Sequence, residues 1–442
     1  MTSSPVTHRE VLAIAVPIIL SNATEPLIGI VDTGVLGQLD KPHLVGAVAL
    51  GATTLSLSSM VFRFLRMGTS RLPAQTDGED DQKTVGATLV QALIVAAIAG
   101  VALIALHRPI GAIALHVLQG SAAVEEAAGT YLNIRIWSAP AALLNFVMLG
   151  WLIGLRRTKL AFLLQLLING LNIVFDFVLV MGFGFEIEGV AYGTLAAEMI
   201  AVGVGLWIVR RELVRRGEMP DRADILDRRK LARVFSVNRD IMIRTVVLVS
   251  AFAFFVNEGA KGGDIILAAN AVLYHIMSLA AYVLDGFAYA AEALVGHAVG
   301  ARVKTRFIRA AQVSSVWAGG LSLGLTLLFW FAGPLFIDTL TVSENVRDTA
   351  RTYLFWAALT PFAGFACYQL DGIFIGATRT ADMRNATILS VLIYLGAWAV
   401  LTPAFGNHGL WASLIVLFLI RAVTFGALYP RMMRALFPEP VS

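Results

Sequence analysis

Apolar stretches long enough to cross a membrane recur along the whole chain and alternate with short polar loops. A helix rises 1.5 Å per residue, so about 20 apolar residues span the ~30 Å hydrocarbon core of a bilayer. The pattern predicts twelve transmembrane helices, at 11–38, 43–76, 84–107, 123–154, 159–183, 187–211, 239–260, 264–300, 304–333, 345–377, 382–404 and 407–434. Several exceed what a bilayer requires, which indicates tilt or extension into water.

The loops between these helices differ in charge. Lys and Arg follow the even-numbered predicted helices 4, 8, 10 and 12, at 156–159, 302–309, 379–384 and 431–434, whereas the loops 183–189 and 405–409 contain neither. Because basic residues accumulate in cytoplasmic loops, this pattern places both termini in the cytoplasm. We expect a multi-pass protein of the plasma membrane, the inner membrane of a bacterium.

Composition agrees with this interpretation and excludes several function classes. Of 442 residues, 57% are hydrophobic and 14% are charged, whereas soluble domains carry about 25% charged residues. The single cysteine, Cys367, excludes an intramolecular disulfide and a thiolate metal site. The net charge of +4 comes from the loops and reflects topology, so we expect no nucleic-acid partner. We predict no cofactor and no structural metal.

The two halves of the chain form an internal repeat. At one constant offset, identical residues align in pairs: Tyr131 with Tyr353, Gly150 with Gly372, Gly154 with Gly376, and Arg157–Thr158 with Arg379–Thr380. We predict an N-terminal six-helix lobe at 1–211, a polar cytoplasmic linker at 212–238 and a C-terminal six-helix lobe at 239–442. Such parallel repeats are related by a pseudo-twofold axis along the membrane normal. Alternating access by rocking lobes is the favoured mechanism, and a channel is the alternative.

Predicted helix 1 combines acidic residues with prolines inside an apolar stretch. It contains Glu25 and Asp32 together with Pro17 and Pro26. A carboxylate inside hydrocarbon costs at least ~2.5 kcal/mol, and each proline removes a backbone hydrogen bond and permits a kink. A bendable helix that carries an acid indicates a functional element. The alternative is that Asp32 only forms a hydrogen bond to a neighbouring helix.

Predicted helices 5 and 6 each carry a polar face. On helix 5 the polar residues recur at helical spacing, and helix 6 repeats the pattern more weakly; these residues are Gln165, Asn169, Asn172, Asp176, Thr194 and Glu198. Asp32, Asp176 and Thr194 each lie seven residues from the outer end of their predicted helix, which corresponds to a depth of roughly 10 Å. Helices 1, 5 and 6 are therefore expected to gather Asp32, Asn172, Asp176 and Thr194 at one level.

The second half lacks this polar cluster. At the repeat offset its counterparts are Thr387, Val391, Tyr394 and Trp398, and Asp32 corresponds to Phe254. A scaffold requirement would recur in both halves, so this asymmetry favours a functional role for the cluster. Beyond the cluster, we predict a substrate cavity that contains Gln165, Asn169, Glu198, Tyr274, Asp285, Asp371, Tyr394 and Trp398. Aromatic faces suit bulky cations, although ordinary helix packing would also explain them.

Four runs, 31–39, 62–70, 238–273 and 282–302, resemble the DinF branch of the multidrug and toxic compound extrusion (MATE) transporters. The resemblance covers essentially the whole chain. It implies twelve helices in two lobes, and export of organic compounds driven by inward proton or sodium movement. It also implies a coupling site on helices 1, 5 and 6, whose pattern falls on Asp32, Asn172, Asp176 and Thr194. Arg71 and Pro73 depart from the family pattern at the end of predicted helix 2.

We therefore predict a monomeric, cation-coupled exporter of small cationic or amphipathic organic compounds. A flippase for lipid-linked precursors is the nearer alternative, but it would need a basic cavity for pyrophosphate. A membrane-embedded enzyme would need aspartate-rich metal motifs facing its cavity. The one Asp-dense run, from Asp77 to Asp81, lies in a short loop instead, and we expect no enzymatic activity.

The proton is the favoured coupling ion, and sodium remains the alternative. Asp32, Asn172, Asp176 and Thr194 could supply an oxygen cage for sodium. Two carboxylates in one poorly hydrated site repel each other, however, so at least one is expected to hold a proton. Sodium-coupled relatives are associated with acids in the second lobe. Asp371 matches there, but predicted helix 7 offers no carboxylate from 241 to 257, so that site is incomplete.

Overall fold

The computed structural model describes residues 6–37, 39, 44, 47–48, 51, 55, 62, 65–70, 82–109, 111, 122–217, 228–341 and 343–438. Most of predicted helix 2, including Arg71 and Pro73, lies outside the described residues, as do the side chains of Glu25 and Pro26. Eleven of the twelve predicted helices match helices whose bounds are given below, and the residues of predicted helix 2 that the structure describes are also helical.

In the first half, α1 spans His8–Gly37 and α2 spans Gln82–Ala105. The next helices are α3, Ala122–Arg135, and α4, Ala139–Gly154, joined by a single 3₁₀ turn at Ile136–Ser138. Pro140, in the first turn of α4, has no N–H to donate to the preceding turn, which explains the interruption. After them come α5, Thr158–Asp176, and α6, Ile187–Arg216.

In the second half, six helices follow one another with short turns: α7 Arg228–Ala260, α8 Asp264–Gly300, α9 Lys304–Leu340, α10 Glu344–Gly376, α11 Thr380–Phe405 and α12 Asn407–Leu436. The described residues contain no strand. Nine of their helical segments are long and apolar enough to cross a membrane. The prediction of an all-α polytopic membrane protein is confirmed.

Helices extend into both ends of the predicted linker, 212–238. α6 continues to Arg216, and α7 begins at Arg228. At the end of α6, the Glu212 carboxylate accepts hydrogen bonds of 2.8 Å from both Arg157 and Arg215. Charged residues can prolong a helix beyond the bilayer because water solvates their side chains. The exact lobe and linker boundaries stay a prediction.

Close packing divides the chain into two compact units, Leu20–Asn238 and Met1–Ile19 with Arg239–Ser442. In the first unit a buried core includes Leu36, Val48, Tyr131 and Val190. In the second unit a larger core centres on buried aromatic side chains, among them Phe255, Trp411 and Phe418. Each unit thus has an interior of its own.

Both units contain the same close contact between helix backbones, as the repeat predicts. A Cβ on Gly154 would collide with the carbonyl oxygen of Ser70, and one on Gly376 would collide with that of Glu292. The turn that follows is also shared, since Arg156 and Thr378 adopt positive φ angles of 58° and 54°. Glycine at these two contacts lets the backbones approach closely. The internal repeat is therefore a feature of the structure as well as of the sequence.

Candidate functional site

Asp32 on α1 and Asp176 on α5 form a buried pair of carboxyl groups in the first half. Asp32 is 5% exposed and Asp176 is 0% exposed, and each lies within electrostatic range of the other. The described residues place no hydrogen-bond donor against Oδ1 of Asp32 or against either oxygen of Asp176. Buried carboxyl oxygens are normally satisfied by donors, so this arrangement is unusual and suited to binding a cation.

Asn172 and Thr194 join α5 to α6 beside the carboxyl pair. The Asn172 amide donates a 2.8 Å hydrogen bond to the Thr194 hydroxyl, which in turn donates to the backbone carbonyl of Val190 at 3.0 Å. Asn172 Oδ1 is buried and has no hydrogen-bond donor among the described residues. The cluster predicted from helical spacing and depth is thus assembled: Asp32, Asn172, Asp176 and Thr194 come from three helices and lie together.

The local backbone around Asp176 explains its position. Asp176 is the last residue of α5 before a single π-helical turn at Phe177–Gly182. Such turns are frequently found at functional sites. On the α6 side, a Cβ on Gly193 would collide with Oδ1 of Asp176. Glycine next to Thr194 therefore makes room for the carboxyl group.

A chain of hydrogen bonds extends the polar face of α5 along its length. Gln165 donates to Oδ1 of Asn169 at 2.9 Å, and Asn169 donates to the hydroxyl of Thr24 on α1 at 2.5 Å. Thr24 donates to the backbone carbonyl of Ser21 at 2.7 Å. Gln165 and Asn169, predicted to line a substrate cavity, therefore hold α5 against α1 in this structure. Their role in substrate binding stays a prediction.

Sequence reasoning missed Arg135, the last residue of α3. Its guanidinium lies 3.6 Å from the Glu198 carboxylate, and these two side chains are 14% and 13% exposed. It also donates a hydrogen bond to the hydroxyl of Ser138 and acts electrostatically on Asp32 and Asp176. An arginine inside a predicted transmembrane segment was a signal that pointed to this site.

Tyr131 was identified from the sequence only as a repeat match. It lies one helical turn before Arg135, is 2% exposed, and interacts with Arg135, Asp32 and Asp176. The site therefore draws on α1, α3, α5 and α6. Among the described residues no group of three or more His, Cys, Asp or Glu side chains is arranged to hold a metal, and the oxygen-rich cluster relies on amide and hydroxyl groups as well as carboxyls.

The second half places aromatic rings at the corresponding positions. Phe254 packs edge to face against Trp398, with centroids 4.8 Å apart, and against Tyr394 at 6.2 Å. Tyr394 is fully buried. Tyr274 packs edge to face against Phe252 at 6.2 Å. Packing accounts for these contacts, and a role for Tyr274, Tyr394 and Trp398 in binding substrate stays a prediction.

Two other predicted cavity residues, Asp285 and Asp371, lie in the same half. Asp285 on α8 acts electrostatically on Tyr368 of α10. The buried Asp371 forms ion pairs with Arg244 of α7 and Arg421 of α12, both through Oδ2. Two guanidinium groups already neutralise this carboxylate, which therefore binds α7 and α12 to α10.

Comparisons with known proteins agree with this architecture. The family model MatE matches residues 17–178 and 241–396. The chain is 40% identical over 419 residues to DNA damage-inducible protein F of Escherichia coli K12, covering 95% of this chain and 91% of that protein. It is 24% identical to the probable multidrug resistance protein NorM of Neisseria meningitidis serogroup A, covering 94% and 92%. A crystal structure of MATE in the straight conformation superposes with a TM-score of 0.86 at 22% identity, covering 97% and 96%.

Proposed function

Because the chain belongs to the MatE family of multidrug efflux transporters, we propose that it exports small cationic or amphipathic organic compounds in exchange for protons. The relatives include proteins named as multidrug resistance proteins, NorM and MdtK. The substrate class, the coupling ion and the residues that bind each are our proposal.

The proposal is supported above all by the buried pair of Asp32 and Asp176, because three of their four carboxyl oxygens have no hydrogen-bond donor among the described residues. Two carboxylates in one buried site are costly when both are charged, because each loses its hydration and repels the other. Binding a single proton relieves both costs and allows a hydrogen bond between the two groups. The pair is thus suited to take up one proton from the more acidic outside.

Sodium is the alternative coupling ion, because the site also contains oxygen atoms that could coordinate it. Asn172 Oδ1 and the carboxyl oxygens offer several oxygen atoms to a cation. The acid of the second half, Asp371, is already neutralised by Arg244 and Arg421, which argues against a sodium site there. Arg135 acts electrostatically on the first-half pair, but its guanidinium is itself paired with the Glu198 carboxylate at 3.6 Å. The ion pairing of Asp371 and the repulsion between Asp32 and Asp176 favour the proton.

Exchange follows from the position of the pair on α1 and α5. Protonation removes the negative charge that burial penalises and lets the two helices pack with neutral carboxyl groups. Loss of the proton restores the charge, which favours binding of a cationic substrate. Alternation between these two states would move substrate outward as protons move inward. We place the protein in the plasma membrane as a monomer with both termini in the cytoplasm.

Reconstituted transport tests this proposal. Liposomes loaded with an organic cation such as ethidium, in sodium-free medium, should release it faster when the external medium is made more acidic. Asp32→Asn, which cannot carry a proton, should reduce this release to the rate of protein-free liposomes. Asp348→Asn is the matched control, since the Asp348 side chain is 69% exposed on α10, and it should behave as wild type. Release that requires sodium and ignores the pH difference would contradict proton coupling.

A further inference from the structure

We propose that the end of α6 nearest Arg216 binds the headgroup of an anionic phospholipid, in the leaflet that the loop charges predict to be cytoplasmic. The binding groups are Arg157, which immediately precedes α5, and Arg211 and Arg215 of α6; we call them the arginine cluster. Arg211 lies seventeen residues beyond Thr194 along α6, roughly 25 Å by helical rise. The arginine cluster is therefore a second region of the first half, and lipid binding there is independent of the proposed coupling ion.

The position of the arginine cluster along α6 matches the level of lipid headgroups. Helix α6 begins at Ile187, and Trp207 lies twenty residues later, which corresponds to roughly 30 Å of helix and thus to the thickness of the hydrocarbon core. Trp207 is 61% exposed, as expected of the tryptophans that collect at membrane interfaces. Arg211 and Arg215 lie one and two turns beyond Trp207, so they extend into the headgroup region.

An exposed apolar surface leads up to these arginines. One face of α6 repeats at helical spacing as Trp207, Arg211, Val214 and Arg215. The guanidinium carbon of Arg211 lies 5.5 Å from the centroid of the Trp207 ring, and the exposed Val214 directly precedes Arg215. Apolar and basic side chains on one exposed face suit a ligand that has both acyl chains and an anionic head.

The arginine cluster carries more positive charge than its carboxylate neutralises. Nε of Arg157 and Nη2 of Arg215 both donate to Oε1 of Glu212, each at 2.8 Å, and Arg216 approaches the same oxygen at 3.4 Å. No other side-chain hydrogen bond or ion pair connects Arg157 or Arg215 to the part of the chain that the structure describes. Glu212 is also the one acid among residues 154–160 and 205–217, which contain seven Lys or Arg residues. The surplus positive charge attracts a phosphate group.

The guanidinium groups retain N–H donors for that phosphate. The side chains of Arg157 and Arg215 are 39% and 56% exposed, whereas that of Glu212 is 8% exposed. The exposed guanidinium groups therefore lie outside the carboxylate that gathers them. A guanidinium binds phosphate through two parallel hydrogen bonds, which adds geometric specificity to the attraction of charge.

The second half shows that topology alone does not require such a cluster. Arg379 occupies the repeated turn, immediately before α11. The last turns of α12, 426–436, contain Arg431 and Arg434 but no acid. Basic residues that only orient the chain in the membrane need no carboxylate to gather them. The convergence on Glu212 is therefore an additional feature of the first half.

Thermal unfolding of the purified full-length protein in detergent, titrated with dioctanoyl phosphatidylglycerol, tests lipid binding. The lipid should raise the Tm of wild type in a saturable manner. The same concentrations of dioctanoyl phosphatidylcholine or of sodium phosphate should leave the Tm unchanged. Arg157→Gln/Arg215→Gln should raise the phosphatidylglycerol concentration that gives half of the shift on the order of tenfold or more.

Two further variants separate lipid binding from folding and from general charge. Arg211→Gln leaves the hydrogen bonds to Glu212 intact and should raise the half-saturating concentration roughly fivefold. Arg379→Gln/Arg434→Gln removes as many charges from the second half as the first double variant does from the cluster, and it should bind as wild type. Equal weakening in this control, or unchanged binding in both cluster variants, would overturn the site. An equal Tm shift with phosphatidylcholine or sodium phosphate would overturn the assignment to an anionic lipid.

Discussion

The two halves of the molecule share a scaffold but place opposite chemistry at the same repeat positions. In the first half, Asp32 faces Asp176 in a buried carboxyl pair. In the second half, Phe254 packs against Trp398 with ring centroids 4.8 Å apart. A scaffold that accepts either pair does not require the carboxyl groups for packing. This difference supports our proposal that the acids of the first half serve a function that an aromatic contact cannot perform.

A second contrast concerns how each half accommodates a buried acid. Asp371 is 5% exposed and bound by Arg244 and Arg421, each from another helix. Asp176 is equally buried, yet both of its oxygens have no donor among the described residues. Buried charges that serve stability are paired. By this criterion we interpret Asp371 as a structural acid and propose that Asp176 is a functional one.

Stability measurements would sharpen this contrast most. Asp371→Asn would leave two buried guanidinium groups without a carboxylate, which is expected to cost about 3–5 kcal/mol. Asp176→Asn relieves repulsion within the carboxyl pair, so stability should stay unchanged or rise. Thermal unfolding of the purified proteins in detergent measures both changes. An equal loss in the two variants would show that Asp176 is structural and would remove the contrast.

A smaller effect tests whether the scaffold itself is symmetric. Gly154→Ala and Gly376→Ala each place a Cβ against a backbone carbonyl oxygen, of Ser70 and Glu292 respectively. Each should lose about 1–3 kcal/mol of stability through overpacking. Gly170→Ala and Gly396→Ala are matched controls within helices, since a Cβ there meets nothing within 4 Å. These controls should gain roughly 0.5–1 kcal/mol from helix propensity.

If alanine lowered stability at only one of Gly154 and Gly376, the common scaffold would be disproved. The halves would then differ in packing as well as in chemistry, and the contrast between the carboxyl pair and the aromatic pair could not be attributed to function.

Much of the fold could be predicted from hydrophobic length alone. The predicted helix 264–300 coincides with α8, and 123–154 matches α3 and α4 within one residue. Apolar runs define where helices cross the bilayer because the hydrocarbon core tolerates no unpaired backbone. Where helices continue into water, as α7 does from Arg228, hydropathy gives no signal and the prediction began the helix at 239.

The candidate site was predictable where its residues follow a helical period. Asn172 and Asp176 recur on one face of α5, which indicated that they lie together. In the structure Asn172 donates a hydrogen bond to Thr194, and Asp176 interacts with Asp32. Arg135 was missed because a lone residue at the end of a helix has no period. Its partner Glu198 was recognised as polar, but the pairing depends on how α3 and α6 approach each other, which no local pattern encodes.

We propose that the carboxyl pair of the first half alone exchanges the coupling proton. The most direct measurement is proton release from purified protein in weakly buffered, sodium-free detergent solution when ethidium is added, followed with a pH indicator. We expect release from wild type and from Trp398→Phe, and none from Asp176→Asn. Release from Asp176→Asn equal to that of wild type, or its loss in a Trp398→Phe protein that still binds ethidium, would contradict the claim.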